Sequence, residues 1–149
     1  MEVRLIHSGH IDAVKSLADA NRDSLGFMTH KKLEEIVEQK RGIVALQDDT
    51  VIGFVFFRHR KIDMQTTLSE ICVQTDCRGQ HVGTQLICGL IRDCEQRCRE
   101  FIQLKCPVDL PSNEFYRKMG FRLHMIEDGR RRQLKVWRLS IPTRQIEEP

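Results

Sequence analysis

The sequence predicts an α/β (α+β) domain: a mixed, mostly antiparallel sheet of six to seven strands flanked by helices on both faces. Three observations predict it. Apolar residues recur at helical spacing early in the chain and again over 81–99. Short β-rich runs bounded by turn residues lie between and after those stretches. One strand–helix–strand unit over 68–105 calls for a right-handed crossover and hence a parallel strand pair.

The elements follow in order. Val3–Ile6 reads as a short strand, and Ile11, Val14, Leu17 and Ala18 mark the first helix. Asn21–Met28 reads as a loop. Thr29 is placed to cap a second helix bearing Leu33, Ile36 and Val37, with Gly42 where a C-terminal glycine belongs. Ile43–Leu46 and Val51–Arg58 flank Gln47-Asp48-Asp49-Thr50, which suits an antiparallel hairpin. His59–Met64 is polar and reads as a loop, and Leu68–Val73 as the next strand. A turn rich in polar residues and glycine leads into a helix over His81–Arg99 and a strand over Phe101–Lys105. Pro107 and Pro111 bracket a loop, and Ser112 or Asn113 caps a short helix to Met119, closed by Gly120. Two last strands, Phe121–Glu127 and Gln133–Leu139, meet at Asp128-Gly129, and the tail over 142–149 reads as loose.

The chain's 149 residues fit one domain, read as 1–149, and suffice to bury a core without a metal or disulfide staple. With 40% hydrophobic and 30% charged residues the profile is globular rather than disordered. The start Met1-Glu2-Val3-Arg4 lacks the basic-then-apolar layout of a secretion signal, and no apolar run approaches the roughly 20 residues that span a bilayer. The expected address is cytoplasmic, with no membrane association. Six cysteines without a Cys-x-x-Cys pair argue against a disulfide framework or zinc ribbon. Cys94 and Cys98, four apart, continue the apolar stripe of Ile87, Leu90 and Ile91 and read as core, so no metal is expected. The net charge of +3 names no partner, but Arg130 to Arg144 holds six basic residues and no acid. That run reads as a solvated hairpin or as a contact surface for phosphate, nucleic acid or an acidic protein.

The informative stretch is Leu68 to Thr84, where a strand ends, a loop turns and a long helix begins. Free backbone N–H groups gather at a helix N-terminus, where the helix dipole adds roughly half a positive charge, so a pyrophosphate is a natural guest. The stretch has no Gly-Lys-Ser/Thr and is not a P-loop; it also lacks the Gly-x-Gly of the dinucleotide fingerprint.

Val73, four residues, then Arg78-Gly79-Gln80-His81-Val82-Gly83 resembles the acetyl-CoA motif of the Gcn5-related N-acetyltransferase (GNAT) family, whose core reads Arg/Gln-x-x-Gly-x-Gly/Ala. Downstream, Phe115-Tyr116-Arg117-Lys118-Met119-Gly120-Phe121 resembles that family's second signature, an aromatic-Tyr-x-x-x-Gly-Phe ending. The element order matches the family along nearly the whole chain. The family's middle glycine is His81 here, which costs roughly 1 kcal/mol if the site needs a positive φ and little if it merely opens the helix.

The resemblance implies an acetyl-CoA:amine acetyltransferase working by direct attack in a ternary complex, with acetyl-CoA as co-substrate. It implies that the backbone of Ile71, Cys72 and Val73 bonds the pantetheine arm, which enters where strands 68–73 and 101–105 splay apart. It assigns the pyrophosphate to the loop of Arg78, Gly79, Gln80, His81, Val82, Gly83 and Thr84. Tyr116 takes the position that protonates the departing thiolate. Glu70, three before Val73, is the candidate base, and the Val73 N–H the candidate oxyanion donor. Asp109 or Asn113 takes the place of a cofactor-touching Asn. Without the resemblance Tyr116 reads as core, Glu70 as an exposed strand residue, and His59 and His124 as surface histidines. Spacing shows no Ser-His-Asp or Cys-His set, so a covalent route is not expected.

The base matters because an amine of pKa near 10.4 is neutral on the order of one time in a thousand at pH 7. Acceptor choice is expected from Asn21–Met28, His59–Met64 and the last hairpin, for a small-molecule or protein amine. A homodimer is compatible with the sequence. Two other readings stand beside the enzyme: an acyl-CoA sensor without turnover, and a basic nucleic-acid-binding protein.

Overall fold

The computed structural model describes residues 1–142; the tail from Thr143, including Arg144, lies outside the described residues. Seven strands form one sheet in the order β1-β2-β3-β4-β5-β7-β6. They are β1 (Glu2–Leu5), β2 (Gly42–Gln47), β3 (Thr50–His59), β4 (Gln65–Val73), β5 (Phe101–Pro107), β6 (Arg122–Asp128) and β7 (Gln133–Ser140). The helices are α1 (Ile11–Ala20), α2 (Arg22–Leu25), α3 (His30–Glu38), α4 (Val82–Gln96) and α5 (Ser112–Lys118). The expected fold class holds. The β4–α4–β5 unit is the parallel crossover, in register from Gln65↔Phe101 to Thr67↔Gln103, whereas β1/β2, β2/β3, β5/β7 and β6/β7 are antiparallel.

The chain divides into two compact units. The first comprises Met1–Arg58 and Ser69–Arg92; the second comprises His59–Leu68 and the chain from Asp93 onward.

In the first unit both sheet faces are covered. Strand alternation sends Val44, Leu46, Phe54 and Phe56 to one face, where they join Val14, Leu17, Leu33 and Ile36 of α1 and α3. Leu33 and Ile36 are wholly buried, each contributing about 1.5–3 kcal/mol of transfer free energy. The opposite face meets α4, where a Cβ on Gly89 would approach Val3 and Ile43. Gly53 of β3 also lies close to α4. A Cβ there would stand 3.0 Å from the Cys72 carbonyl oxygen and 3.1 Å from both Val82 and Leu86. The absence of a side chain at position 53 eases this close approach of strand and helix.

In the second unit Ile102, Leu104, Cys106 and Trp137 are buried. The register sets Leu104 opposite Trp137, whose indole N–H donates to Asn113 Oδ1 of α5 at 2.9 Å.

Several local expectations are corrected. Asn21–Met28 is not all loop: α2 forms one turn, its first residue following Asn21, whose amide bonds Leu17 O, and its end at Gly26 with φ 74. Thr29 does cap α3, accepting from Lys32 N, but the left-handed residue after that helix is Lys40, and Gly42 opens β2. Gly42 is needed for space, because its Cβ would meet Ile36 and Ile6 at 2.9 Å. β4 begins at Gln65, earlier than polarity suggested, because Gln65 and Thr66 are buried polar residues with hydrogen-bonding partners. α4 ends at Gln96, so Cys94 is core while Cys98, at φ 55, is exposed and not part of the stripe. Ser112 and Asn113 both lie inside α5, whose N-cap is Pro111, so neither caps it. The last hairpin turns through residues 129–132, with Gly129 N–H bonded to Arg132 O, rather than at a tight Asp128-Gly129 turn.

Replacing Gly53 with alanine is expected to lower the unfolding free energy by about 1–3 kcal/mol, because the new methyl meets backbone as well as side chains. Urea denaturation of Gly53→Ala against the parent chain measures it.

Candidate active site

The site residues fall into two groups, one in each unit. In the first unit, β4 ends at Val73 and the chain is fastened at once by Gln74 N–H bonding to Ile52 O at 2.8 Å. A 3₁₀ turn over Thr75–Cys77 follows. Arg78 then folds back: its Nε donates to Val73 O at 3.3 Å and its Nη2 to Asn21 Oδ1 at 3.1 Å. The candidate phosphate residue Arg78 thus clamps the turn to the strand end and to the end of α1.

Beyond the clamp, Gly79 at φ 81 and His81 at φ 64 are both left-handed. Of the two alternatives for His81, the strained one holds: it occupies a conformation that costs an L-residue roughly 1 kcal/mol. Val82 opens α4, and the first bond into the helix runs from Gln85 N–H to His81 O at 3.0 Å. The N–H groups ahead of Gln85 therefore have no acceptor within the helix. Gly79, Gln80 and His81 are exposed, Gly83 and Thr84 half-buried, and Val82 buried against the core. A Cβ on Gly79 would meet nothing within 4 Å, so the backbone there is open to a ligand. The loop fits a diphosphate: unsatisfied amides, little side-chain cover, and a helix axis behind them.

Along β4, Ile71 and Val73 are half-buried and Cys72 is buried. Burial pushes the Cys72 thiol up to about 11, with Glu70 opposing its ionisation further while Arg78 works the other way. Burial and then Asp76 raise the Cys77 thiol as well. Both stay protonated near neutral pH, which suits neither to nucleophilic work. Glu70 is not an exposed strand residue. Its side chain is 19% exposed, with Oε1 3.5 Å from Lys32 Nζ, and its buried Oε2 has no hydrogen-bond partner among the described residues. A carboxylate oxygen left this way is costly unless a ligand or water completes it.

In the second unit, α5 carries Tyr116 into a buried position with its ring edge-on to Phe121. Burial, and secondarily Cys106, pushes its phenol up to about 12. Among the described residues no hydrogen bond is made to that oxygen. The ring is buried but the oxygen is not, so the neutral phenol keeps its proton uncommitted to any protein acceptor. Asn113 and Asp109, the candidates for a cofactor-touching residue, make contacts within the unit. The Asn113 side-chain amide donates to Pro107 O at 2.8 Å and Leu110 O at 2.9 Å while its oxygen accepts from Trp137. It fastens the loop ahead of α5. Asp109 is exposed and paired with Arg132 at 3.4 Å.

Sequence reasoning missed three arrangements. Arg78 bonds Asn21 across 57 positions, and Trp137 bonds Asn113 across 24. His59 is not a surface histidine: its ring nitrogens meet Thr66 Oγ1 at 2.7 Å and Asp93 Oδ2 at 2.9 Å. That hydroxyl–imidazole–carboxylate chain resembles a nucleophile relay in outline, but Thr66 is fully buried, so it braces the β3–β4 loop against α4. No spacing rule would have found it. Among the described residues no cluster of His, Cys, Asp or Glu is placed to hold a metal, and no helix is long and apolar enough to cross a membrane.

Comparison with known proteins bears directly on this geometry. Residues 38–123, more than half the chain, match the model of the acetyltransferase (GNAT) domain. Similar solved structures include the ribosomal-protein-S18-alanine N-acetyltransferase of Escherichia coli, at 16% identity and TM-score 0.81 over 99% of this chain and 98% of that one. They also include the aminoglycoside 6'-N-acetyltransferase of Enterococcus faecium, at 16% identity and TM-score 0.82 over 97% and 99%. An aminoglycoside 6'-N-acetyltransferase complexed with coenzyme A aligns at 15% identity and TM-score 0.83 over 97% and 99%. No curated protein sequence matches the chain.

Replacing His81 with glycine is expected to raise stability by up to about 1 kcal/mol, and replacing it with valine to lower it, because a β-branched residue tolerates the left-handed region least. Thermal unfolding of His81→Gly and His81→Val checks the order.

Proposed function

The chain belongs to the GNAT acetyltransferase family, and from that premise we propose that it moves an acetyl group from acetyl-CoA to a primary amine by direct attack within a ternary complex. The observation that carries this reading is the pair of left-handed residues, Gly79 and His81, that leave the amides ahead of α4 uncovered. Those amides would receive the pyrophosphate, with Gly79 to Thr84 as its cradle and Arg78 holding the cradle's shape. The main chain of Ile71 to Val73 would line the pantetheine arm. The coenzyme A-bound neighbour supports the choice of thioester, although its 15% identity carries only the fold.

Within this reading the chain's residues hold and move two protons. Glu70, directly or through a water, accepts a proton from the attacking amine; the Val73 N–H faces the carbonyl oxygen; Tyr116 gives its phenolic proton to the departing sulfur. The acceptor's proton and the sulfur's new proton balance across the turnover, and Tyr116 is reprotonated from solvent. Asp109 or Asn113 would touch the cofactor from the loop and helix they help to hold. Cytoplasmic location and homodimerisation belong to the same proposal. The acyl-CoA sensor is the competing reading, because it needs the loop but no uncommitted phenol. Calorimetry with acetyl-CoA followed by a mass-spectrometric amine screen tests the proposal. Saturable binding with acetylation of an amine is expected, and no response to coenzyme A at millimolar concentration would sink it.

Tyr116→Phe is expected to lower kcat by about 10²-fold while leaving KM for acetyl-CoA nearly unchanged, the signature of a lost proton donor rather than lost binding. Glu70→Gln is expected to reduce kcat most for amines of high pKa and least for α-amines, which steady-state kinetics on paired acceptors resolves.

Burial holds the Tyr116 phenol in its protonated form. Its folded pKa of about 12 lies above the ordinary 10, so its contribution to stability is complete below about pH 10 and lost as pH rises through 12. Tyr116→Phe is expected to remove that part of the alkaline loss, and equilibrium unfolding followed from neutral to strongly alkaline pH would show it.

A further inference from the structure

The second unit holds a hollow of about 500 Å³ that the transferase reading does not use. It lies where β6 begins and β7 ends, lined by Arg122, Leu123, His124, Arg138, Leu139 and Ser140. None of these belongs to the loop ahead of α4 or to α5. The register sets Arg122 directly opposite Arg138 on neighbouring strands, an arrangement in which like charges repel. Neither guanidinium is in an ion pair among the described residues. The acids of β6 are engaged elsewhere: Glu127 with Lys105 at 2.7 Å, and Asp128 with the Gln133 amide.

Arg138 is also pre-set. Its Nε donates to Gln103 Oε1 at 2.8 Å and its guanidinium lies 4.7 Å from the Phe101 ring centroid. Both partners belong to β5, so the fork is held on the β5 side of β7, and neither Nη group is hydrogen-bonded among the described residues. The surrounding charge reinforces the field, since residues 121–142 contain six Lys and Arg against two acids.

We propose that this hollow binds the phosphate group of a small phosphomonoester between Arg122 and Arg138. Two guanidiniums, the His124 imidazole and the Ser140 hydroxyl offer more donors than a carboxylate can accept, whereas a phosphate presents three oxygens to them. Leu123 and Leu139 give the walls an apolar part, which suits an ester with a compact apolar body over the free ion. The proposal is independent of the acetyl-transfer reading, and its test contains no acetyl-CoA.

Calorimetry of the full chain with phenyl phosphate, inorganic phosphate and benzoate decides it. Saturable binding is expected, tightest for phenyl phosphate, and weakened about tenfold or more in Arg122→Gln/Arg138→Gln. Arg130→Gln/Arg131→Gln removes the same charge from the same hairpin and is expected to leave binding unchanged, and an unaltered near-ultraviolet spectrum shows each variant folded. Equal loss in both double variants would mean diffuse attraction and overturn the site. So would the absence of saturable binding by the parent chain. Benzoate binding as tightly as phenyl phosphate would overturn the phosphate assignment, and inorganic phosphate doing so would overturn the organic ester.

Discussion

One absent side chain fixes the layout of the first unit. β3 passes so close to the Cys72 carbonyl, Val82 and Leu86 that a Cβ at position 53 would stand 3.0–3.1 Å from them, tighter than ordinary packing. That approach ties the end of β4 to the start of α4, and the loop between them has only Gln74 to His81 in which to turn. A short connection with a buried residue, Val82, at its far end cannot use ordinary right-handed geometry throughout. Gly79 and His81 take the left-handed turn that results. The uncovered amides are thus a consequence of packing behind them, and the chemistry proposed for the loop uses what the packing leaves over.

The polar groups of the two units follow a common logic. Where a buried polar atom serves the fold, it is fully engaged, as with Asn113 between three carbonyls and an indole, or Thr66 with His59. Where it is left open, at Glu70 Oε2, it lies on a residue the family resemblance marks for proton transfer. An unengaged polar atom costs about 1–3 kcal/mol, which a domain of this size retains only at a few places.

The fold and the loop were readable because both rest on local signals. Period-2 and period-3.6 patterns located every strand and all helices but α2, and Thr29 announced its cap. The left-handed turn at His81 was undecided, since histidine in place of glycine says nothing about φ. What stayed hidden was whatever depends on distant partners. Gln65 and Thr66 fell outside the strand read from the sequence because they are polar, and their burial is offset by hydrogen bonds, including one to a histidine seven residues earlier. Cys98 matched the helical stripe by spacing, yet the helix unwinds before it. The roles of Asn21, Asn113 and Asp109 were equally out of reach, because a polar residue's partner is a property of topology rather than of neighbouring sequence.

Trp137 is the chain's single tryptophan, buried, with its indole N–H held by the helix that carries Tyr116. Its emission therefore comes from one chromophore in one environment. Any loosening of α5 frees that N–H to water and shifts the emission to longer wavelength. The molecule contains its own optical gauge of how firmly the proton-donating helix is seated, readable without a label.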